Sequence, residues 1–177
     1  MRNLQKYIGI IIPLLVIAGL MLYPAITGKA AARETAFTIL KAIALASSLN
    51  ILLGYTGYVS FGHIVFFGFG AYVGFYLLSS QGMSLWLCIL AGGVSSGVLA
   101  FLLGKAILRL RGAYFALATI GVNEAMRAFI NNFDLFGGPT GITLNFKAYL
   151  AYGGAAKALE MAFYVVGGLA ILAIIMS

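Results

Sequence analysis

Long apolar runs decide what this sequence can fold into. A membrane-spanning helix needs about 20 mostly apolar residues, whereas barrel strands would alternate apolar and polar residues. The runs here are continuous, so they favour helices that satisfy their own backbone hydrogen bonds. The sequence therefore predicts an all-α, polytopic transmembrane helical bundle in a single domain over residues 1–177. The predicted spans, about six, are residues 7–26, 36–53, 64–80, 85–108, 112–131 and 159–177.

Composition excludes a water-soluble domain. The chain is 63% hydrophobic and 8% charged, with a mean hydropathy of +1.06, whereas soluble domains are about 25% charged. The net charge of +7 comes from basic residues beside apolar runs, which is typical of topology signals rather than of a nucleic-acid patch. The densest cluster, Lys105, Arg109 and Arg111, is predicted to be cytoplasmic with Arg2 and Lys6. The opposite side then receives Lys29, Arg33, Lys147 and Lys157.

The two ends of the chain carry separate expectations. Arg2 and Lys6 before an apolar run loosely resemble a signal peptide, but the run is about span length, so we expect a retained first helix. The last segment, residues 159–177, stops while still apolar and has no basic anchor. We therefore expect the chain to be truncated at its carboxyl end.

Several chemical motifs are weak. One histidine and four carboxylates are too few for a metal cluster, and no cofactor is expected. The "GVSSG" stretch fits G-x-S-x-G and leaves open an intramembrane serine protease using Ser95 or Ser96 with His63. A nucleophile elbow needs a strand before the serine, however, and this stretch lies in one apolar helix. The "FGGPTGI" stretch lacks the lysine of a phosphate loop and predicts tight turns around Pro139.

Small residues at helical spacing predict where helices pack. Gly93, Gly97, Ala100 and Gly104 fall on one face of a helix, and Gly70 and Gly74 form a second pair. Helix association in lipid depends on close backbone approach through such residues.

Polar and flexible residues concentrate in "LGYTGYVSFGH", residues 53–63. Gly54, Gly57 and Gly62 disfavour helix, while Ser60 can satisfy freed backbone groups. The stretch predicts a glycine-broken segment between the second and third helices. It fits either a substrate path, as in transporters with broken helices, or a tight cytoplasmic turn. His63 could relay protons, but a structural hydrogen bond is the more common role.

Glu124 is costly in a span. It lies roughly 18 Å along the fifth predicted helix at 1.5 Å per residue, where a carboxylate costs about 2.5–3.5 kcal/mol on insertion scales. Arg127 at i+3 could neutralise it. Alternatively, Glu124 lines a polar path with Asn123 and Thr119. Both interpretations stay open.

Three stretches together carry a family resemblance. "LNILLGYTGYVSFGHIVFFGFGAYVGFYL", "LRLRGAYFALATIGVNEAMRAFINN" and "GGPTGI", within residues 44–144, resemble the LivM-type membrane permease subunits of branched-chain amino-acid ABC importers. The LivH and urea-permease groups share the glycine-rich stretch, whereas R-L-R-G-x-Y-F-A-x-x-T is closer to LivM.

The resemblance implies a multi-pass subunit of the bacterial inner membrane that is not itself an enzyme. Its partners would be a second, LivH-like permease subunit, two cytoplasmic ATPase subunits and a periplasmic amino-acid-binding protein. The family's glycine-rich segment maps to Gly54, Gly57, Ser60, Gly62 and His63, and its intramembrane acid maps to Glu124. With Thr119 and Asn123 added from the polar-path hypothesis above, the predicted substrate path is lined by the following residues: Gly54, Gly57, Ser60, His63, Thr119, Asn123 and Glu124. Family members are longer, and no E-A-A…G loop for ATPase docking is found.

The same residues also fit functions other than a branched-chain amino-acid permease. An ion-coupled secondary transporter could use Glu124 or His63, and a permease for urea or another small solute would share the glycine-rich stretch. A scaffold subunit without transport activity is a further alternative.

Overall fold

The computed structural model describes residues 2–143, 150 and 152–177, and most of these residues are in helices. No strand occurs among these residues. Lys147 and the side chains of Arg2 and Lys6, whose sides of the membrane are predicted above, lie outside the described part. The elements are α1 Arg2–Thr27, α2 Ala30–Thr56, α3 His63–Ser80, α4 Leu85–Ile107, α5 Ala113–Asn132, two 3₁₀ turns Asp134–Phe136 and Gly138–Thr140, and α6 Ala155–Met176.

The all-α prediction is confirmed, and each predicted span coincides with one of these helices. Within the described residues, four helices are long and apolar enough to cross a membrane, in α2, α3, α4 and α6. The apolar part of α1 is shorter, Ile11–Pro24. Helix α5 is not among the four; it carries Asn123, Glu124 and Arg127. The bundle is thus multi-pass with four evident spans, and a count of six stays a prediction.

The helices form two compact units. The first contains the chain up to Gly57 together with Tyr152–Ser177, and the second contains Tyr58–Ala151. The first unit is built from α1, α2 and α6, and the second from α3, α4, α5 and the two 3₁₀ turns. A single domain over residues 1–177 remains a prediction.

The first unit has an apolar core where its three helices meet. Its buried residues are Ile17, Ala36, Leu40, Phe163, Ala170 and Ile174. Ile17 and Leu40 are fully buried. Gly167 of α6 faces the Met21 side chain, whose terminal carbon would lie 2.9 Å from an added Cβ. Gly167 therefore leaves room for the Met21 side chain of α1.

Polar side chains also join α2 to α6 in the first unit. Arg33 of α2 and Glu160 of α6 form an ion pair at 3.8 Å, with side chains 29% and 43% exposed. Asn50 donates a hydrogen bond from Nδ2 to the Ser177 hydroxyl, also joining α2 to α6. Exposed ion pairs contribute little in water, so packing of the apolar core dominates this unit.

In the second unit, α3 and α4 approach each other along an interface of small residues. A Cβ at Gly92 would lie 2.6 Å from the Gly70 carbonyl oxygen, and one at Gly70 would lie 2.8 Å from the Gly92 oxygen. Gly74 meets the Cys88 backbone in the same way at 3.2 Å. The Ser96 hydroxyl donates a 2.6 Å hydrogen bond to the Phe66 carbonyl. We call these six residues the α3–α4 interface.

The interface confirms the Gly70/Gly74 prediction and corrects the prediction for α4. The face that contacts α3 is Cys88, Gly92 and Ser96, not the face of Gly93 and Gly97. Apart from the adjacent backbone of α4 itself, no heavy atom of the described chain lies within 4 Å of a Cβ added at Gly93 or Gly97. Ala100 and Gly104 continue this second face. Both faces carry small residues four apart, so spacing alone could not select between them.

Adjacent glycines test this interface. Gly92→Ala is expected to destabilise the protein by about 1–3 kcal/mol, because the new methyl overlaps a backbone carbonyl that cannot rotate away. Gly93→Ala faces open space and should change stability by less than about 1 kcal/mol. Thermal unfolding of detergent-purified protein measures both. Equal effects of the two substitutions would contradict the interface.

Candidate functional site

The helix break falls where the sequence predicts it. Helix α2 ends at Thr56, and Gly57 caps it in the left-handed region at φ 69°, with its N–H bonded to the Leu53 carbonyl at 2.8 Å. Residues 57–62 are non-helical, and α3 begins at His63. The predicted glycine-broken segment is therefore confirmed. The prediction that Gly54 contributes to the break is wrong, because Gly54 lies inside α2 with open space around it and does not interrupt the helix.

Within the second unit, the segment 58–62 lies against the first half of α5. The Tyr58 ring stacks on the Phe115 ring with centroids 5.0 Å apart. The Phe61 N–H donates a 3.1 Å hydrogen bond to the Thr119 hydroxyl, which itself donates to the Ala116 carbonyl at 2.8 Å. One hydroxyl thus serves as acceptor for the broken segment and as donor within α5.

Gly62 brings the segment into backbone contact with α5. A Cβ at this position would lie 2.6 Å from the Thr119 carbonyl oxygen. Ser60 and Thr119 are 6% and 5% exposed, the two buried polar side chains found in the described chain. A non-helical backbone is tolerated at membrane depth where it is enclosed by protein. Within this unit Ser60 and Gly62 are buried while Val59 and Phe61 are exposed, so α5 covers one side of the broken segment.

The predicted path residues divide into groups. Ser60 and Thr119 come together in the buried contact just described, and His63 and Asn123 are half-buried in the same unit. Asn123 lies one turn beyond Thr119 on nearly the same face of α5. Gly54 and Gly57 belong to the first unit.

Glu124 is exposed and points away from this contact. It lies five residues after Thr119, which is about 140° around the helix at 3.6 residues per turn. Arg127 is also exposed, and no ion pair within 4 Å joins it to Glu124 among the described residues. The hypothesis of a self-neutralising pair is therefore not supported.

The basic segment follows α4. Lys105 lies in the last turn of that helix, where a cation complements the negative end of the helix dipole. Arg109 and Arg111 lie in the short connection to α5, and all three side chains are exposed. Gly112 ends the connection at φ 58° and ψ −131°, a conformation that glycine adopts readily.

The serines of "GVSSG" have structural partners. Both lie inside α4; the Ser95 hydroxyl donates to the Gly92 carbonyl at 3.0 Å, and the Ser96 hydroxyl bonds to α3. The strand that a nucleophile elbow requires does not precede them. Their arrangement favours the packing interpretation over the protease.

The sequence did not single out the anchor of the "FGGPTGI" loop. Phe136 is 8% exposed and contacts the rings of Phe69, Tyr72, Tyr76 and Phe133 at centroid distances of 5.5–6.5 Å. Tight turns around Pro139 are confirmed, with Gly137 and Gly141 at φ 76° and 72°. Aromatic residues at i, i+3 and i+7 on α3, namely Phe69, Tyr72 and Tyr76, were the available signal.

This arrangement of long apolar helices, with a helix break packed against α5, fits a multi-pass membrane protein. The chain belongs to the family described as branched-chain amino acid transport system / permease component, which matches residues 31–177. That family is a transport family rather than an enzyme family. The resemblance predicted from the three sequence stretches is therefore confirmed.

Two curated relatives match the same chain. The high-affinity branched-chain amino acid transport system permease protein LivM of Salmonella typhimurium (strain LT2) is 38% identical over 102 residues. Its counterpart of the same name in Escherichia coli (strain K12) is 37% identical over 102 residues. The alignments cover 57% of this chain and 24% of each relative. No solved structure matches the chain significantly.

Removing the shared hydroxyl tests the contact between the broken segment and α5. Thr119→Val leaves the Phe61 N–H without its acceptor, which is expected to cost about 1–3 kcal/mol. Thr119→Ser keeps the hydroxyl and serves as the control. Hydrogen–deuterium exchange of residues 58–62 should accelerate in the valine variant only. Unchanged exchange in Thr119→Val would show that this hydrogen bond does not hold the segment.

Proposed function

We propose that this chain is a membrane permease subunit of an ABC importer and forms part of the translocation path for branched-chain amino acids. The observation that carries the proposal is the family match over residues 31–177, together with a helix break packed against α5. Both relatives are permease proteins of a branched-chain amino acid transport system.

The path is proposed to pass the broken segment. Transporters place substrate near interrupted helices, where unwound backbone and helix ends supply polar groups. Ser60, Thr119 and Asn123 supply hydroxyl and amide groups in this region of the second unit. His63, the first residue of α3, contributes a further polar group. These groups suit the charged backbone of an amino acid, and the surrounding aromatic residues suit its apolar side chain.

The exposed carboxylate of Glu124 favours a second permease subunit that packs beside α5. An exposed carboxylate in lipid costs about 2.5–3.5 kcal/mol, and Glu124 has no ion-pair partner within the described chain. A partner subunit or a water-filled path next to this face of α5 would remove the cost. A LivH-like subunit is the proposed partner, with the path between the two.

The energy for transport would come from other subunits of the proposed assembly. The proposed assembly adds two cytoplasmic ATPase subunits and a periplasmic amino-acid-binding protein, in the bacterial inner membrane. The side of Lys105, Arg109 and Arg111 would face the cytoplasm, because basic connections are retained there.

Reconstitution tests the proposed function. The chain would be co-purified with its ATPase and permease partners, placed in proteoliposomes with the binding protein, and assayed for radiolabelled leucine uptake. We expect uptake that requires ATP and is competed by isoleucine and valine but not by urea or a sugar. Uptake that proceeds without ATP and collapses with an uncoupler would instead indicate an ion-coupled transporter.

The carboxylates of Glu124 and Glu160 allow a matched comparison of leucine uptake. Glu124→Gln is expected to lower leucine uptake at least tenfold, because an unpaired carboxylate in α5 needs a role in the path or its partner contact. Glu160→Gln removes only a 3.8 Å, partly exposed pair with Arg33 and should have a mild effect. Initial uptake rates at equal expression are compared. Equal, mild effects would contradict a role for Glu124.

Thiol labelling tests the orientation. In a Cys88→Ser background, Gln81→Cys and Arg111→Cys place exposed thiols after α3 and after α4. A membrane-impermeant maleimide added to spheroplasts should label Gln81→Cys and leave Arg111→Cys unlabelled until lysis. The opposite pattern would invert the proposed topology.

A further inference from the structure

A polar cavity opens in the second unit where α3 ends. Its volume is about 480 Å³, within the range of roughly 300–1,000 Å³ that small-molecule sites occupy. One wall is the last turn of α3, and the other is the glycine-rich loop that follows α5. The lining residues are Ser79, Ser80, Asp134, Leu135, Gly137, Gly141, Ile142 and Thr143.

The walls of this cavity are held by specific contacts. The Ser79 hydroxyl donates a 3.0 Å hydrogen bond to the Thr143 carbonyl, joining α3 to the far end of the loop. The buried Phe136 ring fixes the middle of the loop to α3. A Cβ on Gly137 would overlap the Gly141 carbonyl group, so the loop closes on itself only with glycine there. These contacts hold the two walls of the open cavity next to each other.

The cavity favours a positively charged group. Asp134 contributes an exposed carboxylate for which the described chain supplies no ion-pair partner within 4 Å. It is the one aspartate in a chain with four acidic and eleven basic residues. The C-terminal end of the 18-residue helix α3 adds the negative end of its dipole beside Ser80.

The rest of the lining fits the other parts of an amino acid. The Ser80 hydroxyl is exposed at the rim and can donate to a carboxylate. Leu135 and Ile142 provide apolar surface on the loop side. A carboxylate, a hydroxyl donor and aliphatic side chains in one cavity match an ammonium group, a carboxylate and a branched aliphatic side chain.

We propose that this cavity is a binding site for the zwitterion of a branched aliphatic amino acid. Its ammonium group pairs with Asp134, its carboxylate accepts from Ser80, and its side chain lies against Leu135 and Ile142. The proposal rests on the proposed function and adds a site apart from the broken segment.

The site would serve as an entry site. Helices α3 and α4 are joined by the short connection 81–84, and Lys105 lies at the other end of α4. With the basic connection in the cytoplasm, the cavity lies at the outer end of α3, where substrate arrives.

Equilibrium binding to the detergent-purified full chain tests the site. Radiolabelled leucine is competed with 3-methylbutylamine, which lacks the carboxylate, and with 4-methylpentanoate, which lacks the ammonium group. We expect the amine to compete and the acid not to compete. Asp134→Asn should weaken leucine binding at least tenfold and abolish competition by the amine, because the charge-assisted pair is lost. Glu34→Gln, an exposed carboxylate of α2, should leave binding unchanged.

A second pair of variants tests the location independently of charge. Ser80→Trp places a large ring at the cavity rim and should also weaken leucine binding, whereas Gln81→Trp, next to it and outside the lining, should not. Leucine binding that is equal in wild type, Asp134→Asn and Ser80→Trp would overturn the proposal, as would competition by sodium or calcium with no effect of the amine.

The two proposals fail differently. If the reconstituted transporter takes up leucine and Asp134→Asn changes neither binding nor the KM for uptake, the entry site is wrong and the proposed function stands. If wild type shows no leucine uptake but Asp134→Asn still weakens leucine binding, the cavity is a leucine site and the transport function is wrong.

Discussion

Every backbone N–H and C=O at membrane depth must be bonded within the protein, because lipid offers no replacement partner. The helices satisfy this requirement by themselves, and the interruption after α2 satisfies it through neighbouring elements. Gly57 closes α2 by returning its N–H to Leu53, and the Thr119 hydroxyl accepts the N–H of Phe61. The position of the broken segment therefore depends on a polar side chain of α5. The shape of a path beside this segment would therefore depend on that hydrogen bond.

Close packing of α3 on α4 supplies the frame on which these polar groups are placed. Lipid tails are as apolar as leucine, so the two helices gain little from burying large side chains and associate through direct backbone contact. Gly70 and Gly92 allow that contact, and Ser96 adds a hydrogen bond to the Phe66 carbonyl. One end of α3 then leads into the broken segment, and its other end forms a wall of the cavity. The same helix thus connects both proposed substrate contacts.

Charge is scarce in this chain, and its distribution agrees with a transport role. The basic residues of the α4–α5 connection are exposed and fit a cytoplasmic surface. Of the acidic residues, Glu160 has an ion-pair partner, whereas Glu34, Glu124 and Asp134 have none within 4 Å in the described chain. Glu124 is exposed on α5, and Asp134 lines the cavity. Unpaired carboxylates in a membrane protein require a partner subunit, water or a ligand, and the proposals assign such partners to Glu124 and Asp134.

The sequence by itself determined the membrane class, the helix positions, the glycine break and the family, because apolar length and local glycine chemistry act over short distances along the chain. It also indicated tight turns around Pro139. It did not determine which small-residue face of α4 meets α3, since Gly92 and Gly93 belong to faces with similar spacing. Nor could it show that Gly54 stays helical or that Phe136 anchors the loop. It also could not show that Thr119 contacts Phe61 while Glu124 lies on a different face of α5. Those outcomes depend on contacts between residues far apart in the chain, and only tertiary packing decides which side chains and backbone groups come within bonding distance.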